Sequence, residues 1–383
     1  MVSLAGSHKT FFRTTIDDVM NHRILAILTL FTLLPLGLRA QEQEGDDFIR
    51  VSLCVASPGE EVYAMLGHAF IRTECPSQGL DICYTEEAED LGDETWRFLA
   101  GRLQMRMVPV PTSLFLEQYA SSGRTVKQYP LQLSNEVEHR LWQILDQRVA
   151  EGSASYDFFS RGCAYSCYQV ILDALSQQDV TFPEWGREYE RTPREIVRDA
   201  SASSPWSQFC WMTLVGGEAD VQLPPEQKVY LPEDLARVLQ GTLVDGVQLV
   251  SGDPEVVVEG KAVTSSPSFL SPLVVSLVLL LLVLGVRWKC KGRMLLPFVV
   301  LHALMGLFVW YIAFASGLPT TGWSWLVIPF NPFVLLLWKW HGRWGRYFVA
   351  AIVVWAVIMV CMPHRPVEYS HILMAFAYLP LYL

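Results

Sequence analysis

Two residues of this sequence could form the reactive pair of a thiol enzyme, Cys163 and His68. The segment 160–163 (SRGC) places the cysteine where a turn leads into a helix. Free backbone N–H groups and the helix dipole at such a position should lower the pKa of the thiol, and Arg161 should add to this effect. His68 follows Gly67 at the start of a strand-like run. We therefore take Cys163 as the candidate nucleophile and His68 as the candidate general base.

The remaining cysteines suggest disulfides before they suggest a metal site. In an oxidising compartment an even number of cysteines favours disulfide bonds, and Cys75 and Cys83 flank a Pro-Ser-Gln-Gly turn that would allow them to pair. Cys167 lies four residues after Cys163 on the same helix face, a spacing that does not suit a bridge between them. The region 41–262 has only two histidines and no Cys-x-x-Cys motif, so we predict neither zinc nor any other cofactor.

The segments around Cys163 and His68 show two kinds of residue pattern, one typical of strands and one typical of helices. The runs 48–56 and 68–73 are rich in β-branched and aromatic residues and predict strands. Ser134 is a suitable N-cap, and the apolar residues after it recur at helical spacing. The run 163–176 also predicts a helix. Strands with interposed helices indicate an α+β domain.

The charge distribution separates a water-facing body from an apolar tail. The net charge is −10, yet residues 263–383 carry eight Lys and Arg against one acidic residue. The acidic residues therefore concentrate in the region before the tail, and no basic stripe suited to phosphate neutralisation is present. We exclude a nucleic-acid binder and predict an extracytoplasmic domain on a membrane anchor.

The N-terminal segment has the layout of a secretory signal. A short apolar run at 24–36 follows Arg23, and Ala40 precedes a polar, acidic stretch. We predict a signal peptide over 1–40, with extra N-terminal residues if Met20 is the true start; an uncleaved transmembrane anchor is the alternative. The periplasmic catalytic domain is then 41–240, and 241–267 is a short hairpin or a linker.

Residues 268–383 are predicted to form a membrane domain of four or five helices. The apolar blocks are 269–286, 294–315, 323–338, 347–362 and 371–383. Lys and Arg fill the first and third joints between them, whereas the second joint has none, so the positive-inside rule places the region 41–262 outside the cytoplasm. His302 lies within a predicted span, where a histidine is either functional or neutral and bonded to a neighbouring helix.

Five runs of the sequence resemble the Lnb-type N-terminal periplasmic domain. They are SLCVASPGEEVYAMLGHAFIR at 52–72, FLAGRL at 98–103, SSGRTVKQYPLQLS at 121–134, YDFFSRGCAYSCYQVI at 156–171 and PWSQFCWMTLVGGEADVQLPPEQKVYLPEDL at 205–235. The Gly-His strand and the Phe-Phe-x-x-x-Cys element are the specific pieces, and the tail motif 322–332 is similar to the membrane part of the family. Proteins of that family include lipoprotein N-acyltransferases of Gram-negative bacteria.

The resemblance implies both a fold and a reaction. The expected fold is a circularly permuted papain-like (NlpC-type) periplasmic domain of α+β class, followed by an all-α transmembrane bundle. In that fold histidine precedes cysteine along the chain, as His68 precedes Cys163 here. The implied reaction moves an acyl chain from a phospholipid, through a thioester on Cys163, to the N-terminal amine of a diacylated lipoprotein. The implied location is the bacterial inner (cytoplasmic) membrane, in a multi-pass protein with its N-terminal domain in the periplasm.

The resemblance also suggests further site residues. Arg124 and Asp220 match positions typical of the family and are predicted, with Tyr84, to line the substrate site. Tyr84 and Glu86 are the candidates for the residue that orients His68. The chain departs from the family pattern at Gly162, where the family commonly has Asn.

Two other functions use the same sequence features. A cysteine peptidase or amidase acting on peptidoglycan would employ the same Cys163 and His68, although one anchor would suffice for it. A catalytically inactive, membrane-tethered binding module would account for Gly162 and for the absence of an obvious third catalytic residue.

Overall fold

The computed structural model describes residues 49–59, 64–89, 92, 94–156, 162–184, 191–222, 229, 231–250, 252–261, 270–289, 292–318, 322–339, 342–362 and 365–383. The predicted signal peptide at 1–40 lies outside the described residues.

The N-terminal part is built on an antiparallel sheet of seven strands, with a smaller sheet of three strands beside it. The strands are β1 (Arg50–Ala56), β2 (His68–Cys75), β3 (Leu80–Ala88), β4 (Gln104–Pro111), β5 (Val126–Pro130), β6 (Ser153–Ser155), β7 (Val180–Thr181), β8 (Leu243–Val244), β9 (Val247–Gln248) and β10 (Glu255–Val258). The large sheet has the order β10-β5-β1-β2-β3-β4-β6 and the small one the order β7-β8-β9. β1 and β2 confirm the strands predicted at 48–56 and 68–73.

Helices cover the large sheet on both faces. They are α1 (Glu94–Leu99), α2 (Thr112–Ser121), α3 (Asn135–Glu151), α4 (Cys163–Ala174), α5 (Pro193–Ala200), α6 (Pro205–Leu214) and α7 (Pro232–Gly241). Side chains of α3, α4 and α7 share one core with β1 and β2, and α2 forms a second core on the other face with Phe70 and Val126. Ser134 is the N-cap residue of α3 as predicted, although its side chain makes no capping hydrogen bond.

Residues after 240 contribute to this domain instead of serving only as a linker. β8 and β9 form a hairpin whose turn residues, Asp245 and Gly246, both have positive φ. β10 pairs with β5 and extends the large sheet. The large sheet therefore contains strands that precede helix α4 in the sequence and one strand, β10, that follows helix α7.

The C-terminal part is helical and apolar. Its helices are α8 (Pro272–Lys289), α9 (Leu296–Phe314), α10 (Val334–Lys339), α11 (Arg343–Cys361) and α12 (Tyr369–Tyr378). Three helical segments of the described chain are long and apolar enough to cross a membrane, Pro272–Lys289, Arg293–Phe314 and Arg343–Cys361, and a shorter apolar segment covers Tyr369–Leu381. Within the apolar block 323–338 the chain is not one continuous helix: it forms a 3₁₀ turn at Trp325–Val327 and then α10.

Side chains from neighbouring helices satisfy the carbonyl groups of this broken segment. Trp355 Nε1 donates to Trp325 O at 3.0 Å, Trp310 Nε1 donates to Val327 O at 3.1 Å, and His302 Nε2 donates to Pro329 O at 2.8 Å. Non-helical backbone is tolerated in an apolar region only when its polar groups are bonded in this way. His302 is accordingly bonded to neighbouring segments, through Pro329 O and the hydroxyl group of Tyr382, as one of the two sequence interpretations required.

Replacing His302 tests the packing of the broken segment. His302→Leu should lower the free energy of unfolding by about 2 kcal/mol, because it leaves a buried carbonyl group without a donor. The readout is a lower apparent melting temperature in detergent. Leu304→Ala, at an exposed position of the same helix, is the control. Equal melting temperatures for the two variants would contradict this account of His302.

Candidate active site

β2 begins at His68 because Gly67 allows the chain to turn into the sheet. Gly67 has a φ of +84°, and a Cβ there would lie 2.8 Å from the carbonyl oxygen of Ala56. Glycine accommodates both the left-handed backbone and so close an approach. A 3.0 Å hydrogen bond from Gly67 N–H to Ala64 O closes the turn. His68 is thereby fixed opposite Ala56 of β1.

The imidazole of His68 is held by Thr85 on β3. His68 Nε2 lies 2.8 Å from Thr85 Oγ1, and this hydroxyl lies 3.5 Å from Glu87 Oε1. A hydroxyl has a single hydrogen, so a Thr85 that donates to Glu87 accepts the hydrogen of His68 Nε2. The arrangement leaves Nδ1 as the basic nitrogen of the ring.

The surroundings of His68 keep the imidazole neutral. Burial is the main cause that lowers its pKa to about 4, and the positive charge of Arg124 acts in the same direction. Arg124 is itself fixed, since its Nε donates to Ser57 O at 2.7 Å and its guanidinium lies 4.9 Å from the ring centre of Tyr119. At neutral pH His68 is therefore uncharged, and its lowered pKa makes it a weaker base than a free imidazole.

Cys163 is the first residue of α4, directly after the N-cap residue Gly162. Its sulfur accepts hydrogen bonds from the backbone N–H groups of Ala69 and Ala164 and from its own N–H. These donors favour the thiolate, as the sequence predicted. Burial outweighs them, however, and the pKa of the thiol is raised to about 11. The expectation of a lowered pKa is thus wrong, and Arg161 lies outside the described residues.

The pairing between β2 and β3 ends before the part of β2 that contacts the sulfur. The pairing of β2 with β3 runs from Cys75 and Leu80 to Ile71 and Tyr84, so Ala69 lies beyond the last pair. Its N–H is bonded to Cys163. Because Ala69 directly follows His68, the sulfur lies against the backbone beside His68. The resting pair consists of a neutral thiol and a neutral imidazole.

The carboxyl group of Glu86 lies on the same side of α4 as the Cys163 sulfur. It accepts a hydrogen bond from Ser166, which is three residues after Cys163 on α4, and burial raises its pKa. Its negative charge also raises the pKa of Cys163. The sequence named Tyr84 and Glu86 as candidates for orienting His68, and the structure gives that contact to Thr85, the residue between them.

Two predicted site residues make structural contacts elsewhere. The hydroxyl group of Tyr84 donates to Asp146 and accepts from Trp142 Nε1, each at 2.7 Å, between β3 and α3. Asp220 forms a 2.6 Å ion pair with the buried Arg194 of α5. Their roles in binding substrate stay predictions, whereas Arg124 lies within electrostatic reach of His68.

The predicted disulfide between Cys75 and Cys83 is wrong. Both are free thiols, as are the other cysteines among the described residues. Cys75 belongs to the core under α3 and α4, and Cys83 belongs to the core under α2, so the two side chains point to opposite faces of the sheet. Cys167 is buried, and burial raises its pKa well above the ordinary value.

Sequence comparison agrees with the motifs. Residues 43–192 match the family described as the Lnb N-terminal periplasmic domain. The matched segment includes His68, Thr85, Arg124 and Cys163 but not Asp220. No curated protein and no solved structure matches the chain. The match covers the region of four of the five motifs fully or in part, and the described chain joins a domain of mixed α and β structure to apolar helices.

Thr85 is testable through the reactivity of the thiol. Thr85→Val should slow alkylation of Cys163 by iodoacetamide about tenfold, because the imidazole loses the bond that fixes its orientation and its Nε2 hydrogen. Thr85→Ser keeps the hydroxyl and should react at the parent rate. Mass spectrometry of the Cys163 peptide gives the rate, with the exposed Cys210 as internal reference. Equal rates in the Val and Ser variants would exclude this role.

Proposed function

We propose that this protein is a membrane-bound cysteine acyltransferase. It moves an acyl chain from a phospholipid, through a thioester on Cys163, to the N-terminal amine of a diacylated bacterial lipoprotein. The observation that carries the proposal is the hydrogen bond from the N–H of Ala69, next to His68, to the Cys163 sulfur. Both residues lie in the region that matches the Lnb N-terminal periplasmic domain, and this region packs onto apolar helices. The reaction needs no cofactor.

The packing of the site end of the sheet supports a substrate that stays in the bilayer. Met65, in the loop before His68, shares a small core with Met212 of α6. On the same helix, Thr213 Oγ1 lies 2.9 Å from His371 Nε2, and the ring of Phe209 stacks on His371 at 4.2 Å. The helix α6 thus connects the loop of His68 to the apolar helices.

Further contacts support the orientation of these helices. Gly317 N–H donates to Ala100 O at 3.1 Å, and Gly217 N–H donates to Trp323 O at 2.7 Å. Arg198 Nε pairs with Glu368 at 2.6 Å. The periplasmic domain therefore contacts the chain after α9 and after α11.

Four basic residues lie at the opposite helix ends, and Arg365 is the exception on the side of the N-terminal domain. Arg287 and Lys289 end α8, Arg293 precedes α9, and Arg343 begins α11. By the positive-inside rule this distribution favours a multi-pass protein of the bacterial inner membrane with its N-terminal domain in the periplasm.

The first half-reaction forms the thioester. His68 Nδ1 takes the proton of Cys163 as the sulfur attacks the ester carbonyl carbon of a phospholipid. The backbone N–H groups at the start of α4 are the available donors for the carbonyl oxygen as it gains charge. The C–S bond forms and the C–O bond breaks. His68 then gives its proton to the leaving oxygen, and a lysophospholipid departs.

The second half-reaction transfers the acyl chain to an amine. The amine nitrogen attacks the thioester carbonyl carbon, the C–N bond forms and the C–S bond breaks. His68 carries a proton from the nitrogen to the sulfur and so restores the thiol. A thiolate leaves the tetrahedral adduct of an amine more readily than an alkoxide does. The thioester therefore makes acyl transfer to an amine easier than direct transfer from the ester.

Substitution of the pair tests the proposal. Cys163→Ala and His68→Ala should each reduce N-acylation more than about a hundredfold, because one removes the acyl carrier and the other the proton carrier. Cys167→Ala is the matched control and should retain activity within about twofold, since its thiol is buried in the core. The measurements are mass spectrometry of lipoprotein N-terminal peptides and lysophospholipid content in cells that contain equal amounts of each folded variant.

The same experiment separates the competing functions. Unchanged triacylation in the Cys163→Ala variant would reject the assignment. Altered muropeptides with unchanged lipids would instead identify a peptidoglycan peptidase or amidase. A catalytically inactive binding module would leave both lipids and muropeptides unchanged.

The charge of Arg124 should set the acid limit of the first half-reaction. His68 acts as a base only when neutral, so the rate falls as the pH drops through its pKa of about 4. Arg124→Gln removes a positive charge and should raise this pKa, which moves the acid limb of the rate to higher pH. The shift is partial, because burial remains the larger cause. Lysophospholipid release measured between about pH 4 and pH 8 gives the profile.

Arg124→Lys is the control for this prediction. It keeps the charge but loses the guanidinium bond to Ser57 O, so its acid limb should stay near that of the parent. An acid limb that moves equally in both variants would assign the effect to the lost bond instead of the lost charge.

A further inference from the structure

Helix α1 lies at the junction between the N-terminal domain and the apolar helices. Two hydrogen bonds join its end to the chain directly after α9. Ser316 Oγ donates to Leu99 O at 2.7 Å, and Gly317 N–H donates to Ala100 O at 3.1 Å. The end of α1 is thus fixed beside the end of α9.

The ends of the apolar helices indicate where the chain leaves the hydrocarbon of the membrane. Helix α8 ends and α11 begins with basic residues, which by the positive-inside rule lie towards the cytoplasm. The start of α8 and the end of α9 therefore lie at the outward-facing surface. Leu270 before α8, Phe314 at the end of α9 and Tyr369 at the start of α12 are exposed there, as apolar and aromatic side chains at a bilayer surface are.

Trp96 is a large side chain of α1 that the folded chain leaves 74% exposed. The carbonyl groups of Leu99 and Ala100, which bind the chain after α9, follow it by about one helical turn, or about 5.4 Å. The ring of Phe98 packs edge-on against Trp211 at 6.0 Å, in the small core of the domain. Trp96 precedes Phe98 by two residues, about 200° around the helix, and therefore faces away from that core.

Trp206 and Val221 are exposed beside the same junction. Trp206, at the start of α6, donates its Nε1 hydrogen to Leu270 O at 2.6 Å and is still 40% exposed. Val221 follows the 3₁₀ turn Gly217–Asp220, whose first N–H donates to Trp323 O at 2.7 Å. A tryptophan with its N–H bonded and its ring exposed is suited to a bilayer surface, where one end of the side chain is apolar and the other is wet.

We propose that α1 lies in the headgroup region of the outward-facing leaflet, with the rings of Trp96 and Trp206 inserted at its apolar boundary. Lipid is the occupant of this surface, because the outer ends of α8 and α9 set the level of the bilayer directly beside both side chains. The inference goes beyond the proposed function and holds whether or not the protein transfers acyl chains.

This position of α1 turns the His68 end of the large sheet towards lipid. Helix α1 follows β3, and the end of β3 that leads to it is the end at which Thr85 Oγ1 lies 2.8 Å from His68 Nε2. The other end of β3, where Leu80 pairs with Cys75, is about 25 Å away along the strand. A substrate with acyl chains then reaches the His68 end without leaving the leaflet.

The experiment locates position 96 of the full-length chain in phospholipid bicelles. Trp96→Cys is labelled with a fluorophore in a chain whose Cys210, Cys290 and Cys361 are replaced by serine. Leu114→Cys, labelled in the same way, is the control, because it is exposed on α2 at the far end of β4 from α1, about 25 Å along the strand. Both side chains are exposed, so both variants should keep the melting temperature of the parent.

Two quenchers report on the surroundings of the label. A phospholipid with a nitroxide near the top of its acyl chain should quench the label at position 96 at least about threefold more than the label at position 114, and aqueous iodide should quench it at least about fivefold less.

The native indole gives a second measurement that does not depend on a label. Phospholipid brominated near the top of its acyl chains quenches tryptophan fluorescence by contact. Trp96→Leu should remove more of the bromine-quenched emission than of the iodide-quenched emission, because the lost ring lies in lipid.

The outcomes separate the possible occupants of this surface. A label at position 96 that iodide reaches as freely as the label at position 114 would overturn the proposal and leave the surface to water or to a soluble partner. Protection from iodide without quenching by the lipid nitroxide would also overturn it, and would assign the surface to a contact between copies of the chain. Neither readout depends on acyl transfer, so a failure of the proposed function would leave both unchanged.

Discussion

The contact on which the site depends joins the first residue of α4 to the end of β2. The Cys163 sulfur accepts the N–H of Ala69, the residue after His68. Ala164 and Ile171 of α4 belong to the same core as Ala69, so the packing of the helix fixes this contact. A shift of β2 by one residue would move the N–H and turn His68 to the other face. Core packing and site geometry are therefore one constraint.

Burial decides the chemical state of the pair. The start of a helix supplies N–H groups that favour a thiolate, but removing the thiol from water costs more, and the pKa of Cys163 rises to about 11. The same burial lowers the pKa of His68 to about 4. At neutral pH the proton therefore stays on the sulfur, and the imidazole stays uncharged. Such a pair is poorly reactive towards oxidants, which act on thiolates.

The sequence predicts the elements of the site better than its contacts. Alternating residues identify β2, helical spacing identifies α4, and together with the family motifs they select His68 and Cys163. Thr85 is absent from that prediction because its role depends on the pairing of β2 with β3, which no local pattern encodes. The same pairing places Cys75 and Cys83 on opposite faces, although their separation along the chain suits a bridge. Successive side chains of a strand point to opposite faces of the sheet. Once the register of β2 and β3 was known, this alternation would have distinguished Thr85 from Glu86.

In the membrane part, too, the sequence predicts the apolar segments better than the contacts between them. These contacts help to hold the site in place. Composition predicts apolar blocks, but a hydrophobic run containing Pro329 and Pro332 cannot continue as a regular helix. Donors far away in sequence, His302 and Trp310 among them, bond the freed carbonyl groups. Gly306 completes this packing, because a Cβ there would lie 2.6 Å from the backbone carbon atom of Asn331. The broken segment is thus held tightly against α9. The chain just before it also bonds the N-terminal domain, because Gly217 N–H donates to Trp323 O, so hydrogen bonds join that domain to the apolar helices.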